Sequence, residues 1–223
     1  MVNTMVKEDE IYTVQKPAVA VDVVLFTIVD DDLKVGLTRR EEEPYLGKYA
    51  LPGRFVRYDE PIEMTAKMAL QLKGGVDPKA AFLEQLYTFG EDLHRDTRIR
   101  TISVVYYGMV DASVLDAQGK NKFIWHSVYD LPPLSFDHKE IILYAVERLR
   151  NKVWGSDFAY QLMPDEFTLS ELQRAYEVIL HETLDKRNFR KKILEIHILK
   201  DLQKQKMEGA HRPAAVYGFV RGR

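Results

Sequence analysis

The residues best placed to do chemistry crowd into one short segment near the end of the chain. Lys186, Arg187, Asn188, Arg190 and Lys191 fall within ten residues, where Phe189, Ile193 and Ile196 recur at helical spacing. Asp185 is a suitable N-cap for that helix. With the apolar residues turned inward, Arg187, Asn188, Arg190 and Lys191 lie away from them. Guanidinium groups read guanine edges, a carboxamide reads adenine, and Lys neutralises phosphate. Upstream, residues 168–180 place Leu169, Leu172, Ala175, Tyr176 and Ile179 on one stripe, and a short turn separates the two helices. That is the helix-turn-helix pattern. A polar stretch ending in Arg212 and a short strand, Ala214–Phe219, have the order of a wing. The commoner meaning of such a charge run is a solvated face on an amphipathic helix pair.

A second set of residues suits a small anionic ligand. Arg98 and Arg100, two apart at the start of a strand, would share a face and could meet a diphosphate. Arg39, at the end of a hairpin strand, is similar. Phe89, Tyr106 and Trp125 offer faces for a base or sugar. Arg39, Arg98, Arg100, Phe89 and Tyr106 are therefore the candidate ligand-binding residues. Each has an ordinary alternative, a surface ion pair for the arginines and core packing for the aromatics. His138, after Phe136-Asp137, is expected to cap or bridge structure at a helix start.

The elements that must position these groups follow from local pattern. Ala18–Val29 is rich in β-branched residues, Asp30-Asp31-Asp32 turns, and LKVGLT returns, which makes a hairpin. Residues 41–53 read as loop. A helix is expected from Pro61, with Glu60 as N-cap and an inner stripe of Ile62, Ala66, Ala69 and Leu70, stopped by Gly74-Gly75. Ile102–Val110 is a strong strand, Asn121–Trp125 a plausible one, and His138–Arg150 a helix. The division expected is an N-terminal arm over 1–13, an effector-binding domain over 14–154 and a DNA-binding domain over 155–223.

Composition narrows the classes further. The 223 residues contain no Cys, which excludes disulfides, cysteine zinc sites and thiol nucleophiles. The six His lack metal-ligand spacing, and no apolar run is long enough to span a bilayer. A cytoplasmic protein with no cofactor, no metal and no membrane association is expected. Net charge is −2, yet from Lys186 to Arg223 there are 11 basic and 3 acidic residues. A polyanion-facing tail on a mildly acidic body fits that asymmetry.

The segment Leu51–Val76 resembles the Nudix box, a loop and helix whose glutamates hold divalent cations against a diphosphate. Pro52-Gly53 fits the loop start, Glu60 the first Glu, and Gly75-Val76 the end. Arg54 stands at the pattern's first Gly. Met68, Ala69, Leu72 and Lys73 replace the Arg and the remaining carboxylates, so the resemblance implies a scaffold without hydrolytic chemistry. Together with FTLSELQRAYE, LDKRNFRKK and RPAAVYGF, it points to the Nudix-related transcriptional regulators. It implies an α+β chain, a Nudix-like α/β/α sandwich followed by a winged helix. It further implies a homodimer on a palindromic double-stranded DNA operator, repressing in response to a small-molecule effector such as ADP-ribose or a pentose. The competing expectations are a Nudix hydrolase for a nucleoside diphosphate derivative, with ligands drawn from Glu41–Glu43, Glu91, Asp92 or Asp96, and an RNA-associated Nudix protein.

Overall fold

The computed structural model describes residues 15–112, 122–154, 163–207 and 213–220. β1 (Ala18–Val29) and β2 (Asp32–Arg39) form the expected hairpin. Its turn is only Asp30 and Asp31, both at positive φ, as a two-residue turn matched to strand twist requires. Asp32 belongs to the strand. β1 pairs in parallel with β6 (Thr101–Met109), which pairs antiparallel with β5 (Phe82–Phe89). β3 (Tyr49–Ala50) and β7 (Ile124–Ser127) add to β2, and β4 (Gly53–Phe55) adds to β1, completing a seven-stranded mixed sheet.

Side-chain alternation along the central strands supplies two apolar faces. Val21, Val23 and Leu25 of β1 and Val104 and Tyr106 of β6 meet α1 (Ile62–Ala69) through Ala66, Ala69 and the following Leu70. Val24, Phe26, Val105, Tyr107 and Met109 meet α2 (His138–Lys152) through Ile141, Ile142, Ala145 and Leu149. The sheet is thus sandwiched between helices.

Several expectations need correction. Pro61, not Glu60, is the N-cap of α1, with no side-chain cap bond, because Glu60 is drawn to Arg54 instead. Ile62 is exposed, being at the outer edge of the first turn, and Thr65 takes its place in the buried stripe. The helix widens into a π-helical turn, Leu70–Gly74, before Gly75 ends it at φ 68°. The strand expected at Asn121–Trp125 is Ile124–Ser127, since its partner is β2 at Lys34–Leu37. β5 was not anticipated at all.

The C-terminal part is a helix pair on a small sheet. β8 (Phe167–Thr168), β10 (Ala214–Phe219) and β9 (Leu199–Lys206) lie in that order. α3 (Leu169–Leu180) starts with a full capping box, Thr168 accepting from the Glu171 N–H while Glu171 accepts from the Thr168 N–H. α4 (Lys186–Glu195) is capped by Asp185 as expected, and is two residues shorter than the Lys186–His197 that the sequence pattern predicts. β9, read in the sequence as a polar turn, is a strand whose pairing with β10 makes the wing a hairpin.

Leu149 and Val153 at the end of α2 share one buried cluster with Phe167, Leu172, Tyr176, Phe189 and Ile193 of the winged helix. The arm at 1–13 and Gly155, at the expected boundary, lie outside the described residues.

Candidate functional site

A cleft of about 300 Å³ opens where β1, β2, β4 and the N-terminus of α2 converge. Six cationic side chains line it: Arg39, Arg40, Arg54, Lys73, Arg95 and Arg98. Four carboxylates, Asp22, Glu41, Glu42 and Asp96, line it as well. Gly53 makes the floor possible, because a Cβ there would lie 2.2 Å from the Asp22 carboxylate and 2.9 Å from the Val21 carbonyl.

The two buried carboxylates are already engaged. Asp22 accepts from the Ser103 hydroxyl at 2.6 Å and lies 3.7 Å from the Arg95 guanidinium. Asp96 accepts from Arg98 through Nε, a terminal nitrogen and the backbone N–H. Burial would raise the Asp96 pKa, but those Arg98 bonds outweigh it and hold the carboxyl below its usual value. Arg40 is pushed down by burial and then by the Arg98 charge. Two like charges therefore face one space that an anion would relieve.

At the back of the cleft, Arg95 makes a two-pronged contact with Asp137, both bonds 2.8 Å. Burial lowers the Arg95 pKa, yet the Asp137 bond and the Asp22 charge leave it raised. Asp137 is the N-cap residue of α2 but spends its carboxylate on Arg95 rather than on the helix. His138 is buried, accepts at Nδ1 from the Leu51 N–H at 2.9 Å and turns Nε2 to Asp22 at 3.8 Å. Burial keeps it neutral by lowering its pKa. The bridging role expected of His138 is the one it has.

Of the candidate ligand residues, Arg39 and Arg98 meet in this cleft. Arg100 does not. Residues 98–100 precede β6, so the two-residue alternation of a strand does not apply, and Arg100 instead donates to the Gly90 carbonyl at 2.6 Å. Phe89 packs edge-on to Tyr144 of α2, and Tyr106 is buried beneath α1 beside Trp125. The cleft's aromatic residues are Phe55 and Phe136, with the Arg98 guanidinium 5.3 Å and 5.4 Å from their ring centres. Phe136 holds φ 55°, a strained value for a bulky residue. Sequence reasoning missed Arg40 and Arg95; the adjacent pair Arg39-Arg40 was a usable signal, whereas Arg95 needs Asp137, 42 residues away.

Of the suggested substitute metal ligands Glu41, Glu42 and Asp96 line the cleft, yet among the described residues no three such side chains come together as a metal site needs. Asp96 serves Arg98, Asp92 accepts from the His94 N–H, and Glu43 faces the Leu46 N–H. Ala69 is buried, Leu72 exposed, and Lys73 carries a positive charge into the cleft. These residues do not fit the divalent cations of a Nudix box. A larger groove, about 1270 Å³, lies between α1 and β5, lined by Met64, Met68, Val76 and Phe82. It lacks the convergent arginines that a diphosphate calls for.

The second site is the outer face of α4. Lys186, Arg187, Asn188, Arg190 and Lys191 are all exposed, while Phe189 and Ile193 are buried. Among the described residues no ion pair engages these cations. By contrast the wing's Lys204 and Lys206 are paired with Glu166 and Glu171. Arg212 lies outside the described residues. No helix among the described residues is long and apolar enough to cross a membrane.

Comparison with known proteins agrees with this geometry. Residues 159–219 match the NrtR DNA-binding winged helix domain. The ADPR responsive transcriptional repressor NtrR of Acinetobacter baylyi is 31% identical over 215 residues, covering 92% of this chain and 82% of the relative. Shewanella oneidensis NrtR, solved in complex with a 27mer DNA, superposes with TM-score 0.78 at 34% identity, covering 91% of this chain and 93% of that one. Its Nudix domain, solved with ADP ribose, matches 65% of this chain and 99% of its own at 33% identity, TM-score 0.54. An ADP-ribose pyrophosphatase of Methanocaldococcus jannaschii is 35% identical over 127 residues, 56% of this chain and 71% of the enzyme.

Proposed function

The chain belongs to the NrtR family of Nudix-related transcriptional regulators, and from that premise we propose that it is a repressor released from its operator by ADP-ribose. The observation that carries this reading is the presence, in one chain, of a basic cleft and an exposed basic helix joined by α2. ADP-ribose offers two linked phosphates to Arg39, Arg40 and Arg98, and flat or apolar surfaces to Phe55 and Phe136. Arg187, Asn188 and Arg190 take base edges in the major groove; Lys186, Lys191 and Arg212 take phosphates. A lone winged helix makes few contacts, so a homodimer on a palindrome is the working assembly.

Release requires that ADP-ribose bind differently to the DNA-competent and DNA-incompetent arrangements. α2 is the natural link. Its first residues are fastened to the cleft through Arg95–Asp137 and His138–Leu51, and its last turn is packed into the winged helix.

Kinship with a pyrophosphatase favours one other reading, hydrolysis of the same ligand. Ala69, Leu72 and Lys73 argue against it, because they leave the box helix without its metal-binding carboxylates. The test of the regulator reading is a gel shift on the DNA upstream of the chain's own gene. Wild type should retard it, ADP-ribose should reverse the retardation, and an Arg187→Ala, Arg190→Ala double variant should fail to bind. Equal retardation by wild type and the double variant would overturn the assignment.

A further inference from the structure

We propose that Lys73 and Arg54 take the place of the divalent cation in the cleft, so that the protein binds a metal-free disubstituted diphosphate. The inference rests on the ligand reading above and adds which charges hold the diphosphate. Both residues stand at Nudix-box positions that have changed: Arg54 where the pattern has its first Gly, Lys73 where it has a metal-binding Glu. The fold brings both onto the same lining as Arg39 and Arg98.

Their placement is built by the backbone. Gly53 lies against Asp22 and Val21 and so sets Arg54 on the floor of the cleft. Glu60, the surviving glutamate of the box, lies 3.3 Å from the Arg54 guanidinium and orients it. Glu60 is thereby a partner for a cation already in the chain. Lys73 is in the π-helical turn that ends α1, exposed and free to swing toward a bound anion. A divalent ion entering this space would meet two positive charges, from positions where the Nudix box has a Gly and a metal-binding Glu.

The chemistry this selects is specific. A diphosphate esterified at both ends carries two negative charges and binds Mg²⁺ weakly, so it arrives largely uncomplexed. Nucleoside triphosphates arrive as Mg²⁺ complexes, which would press a bound divalent cation against the cleft's own positive charges. A cleft with its own cations discriminates for the former and needs no metal to do so.

The test is calorimetric titration of the full chain with ADP-ribose, once in EDTA and once in millimolar Mg²⁺. Equal affinity in both, with Lys73→Gln weakening binding about ten- to a hundredfold in EDTA, is expected for loss of one charged contact. Lys73→Glu should bind only when Mg²⁺ is present. Thermal unfolding of each variant checks that the exposed substitution leaves the fold intact. Wild-type binding that disappears in EDTA and returns with Mg²⁺ would overturn this inference and leave the repressor reading standing. Unchanged affinity in Lys73→Gln would also overturn it. Absence of ADP-ribose binding in either buffer would overturn the ligand reading itself.

Discussion

The ammonium group of Lys192, on α4, lies 3.5 Å from the centre of the Trp154 ring, just beyond α2. The same ring packs against Tyr176 of α3 at 4.9 Å and Phe189 of α4 at 5.9 Å. One turn back, Arg150 donates to the Ile179 carbonyl at 3.0 Å, near the C-terminus of α3, where a positive charge complements the helix dipole. Tyr129 donates to the neighbouring Val178 carbonyl and stacks on His181, the left-handed cap of α3. The DNA-binding helices are therefore gripped by the half of the protein that holds the cleft.

Trp154→Ala should cost about 2–3 kcal/mol in urea unfolding, less than a fully buried Trp because this ring is half-buried. It should also shrink the effect of ADP-ribose on DNA affinity while leaving ADP-ribose binding intact. Retention of the full effect in a folded Trp154→Ala protein would place the coupling elsewhere.

At the DNA face, Arg187→Ala and Arg190→Ala should each lose about 1–3 kcal/mol on the operator and little on unrelated duplex. Lys191→Ala should weaken all sequences alike and reduce the salt slope by about one. Anisotropy titrations at several salt concentrations separate the two classes.

Stability should fall as pH drops below about 6.5, the unfolded histidine pKa. His138 is held below that value by burial, and His126 is shifted the same way by burial. The unfolded chain then binds protons that the folded chain refuses, which favours unfolding at low pH. Urea unfolding at pH 7.5 and about 5.5 measures it, and His138→Gln should flatten the difference. Identical stability at both values would contradict the buried neutral imidazole.

Much of this was legible in the sequence, for identifiable reasons. The stripe Leu172, Ala175, Tyr176, Ile179 and the caps Thr168 and Asp185 are local signals, and local signals set α3 and α4. β5 and β9 were not legible. In β9, LKDLQKQK is almost wholly polar because it pairs along one side with β10 and faces water. In β5, Glu84 and Gln85 interrupt the apolar run. The cleft was half legible: charge pointed to Arg39 and Arg98, but Arg95 is fixed by Asp137 and Asp22, both distant in sequence.

No turnover of ADP-ribose approaching about one per second, the pace of an ordinary enzyme, should occur with Mg²⁺ or Mn²⁺. The missing carboxylates at 69, 72 and 73 are the reason. Turnover at that rate, abolished by Glu60→Gln, would restore the hydrolase reading.

Release by ADP-ribose requires that the cleft and α4 be thermodynamically linked, and linkage is reciprocal. The decisive measurement is calorimetric ADP-ribose affinity with and without saturating operator duplex. Operator should weaken ADP-ribose binding by the same factor, about 5- to 150-fold, by which ADP-ribose weakens operator binding. Equal ADP-ribose affinities in the two titrations would contradict it, and would make the cleft-bearing half a scaffold without a part in release.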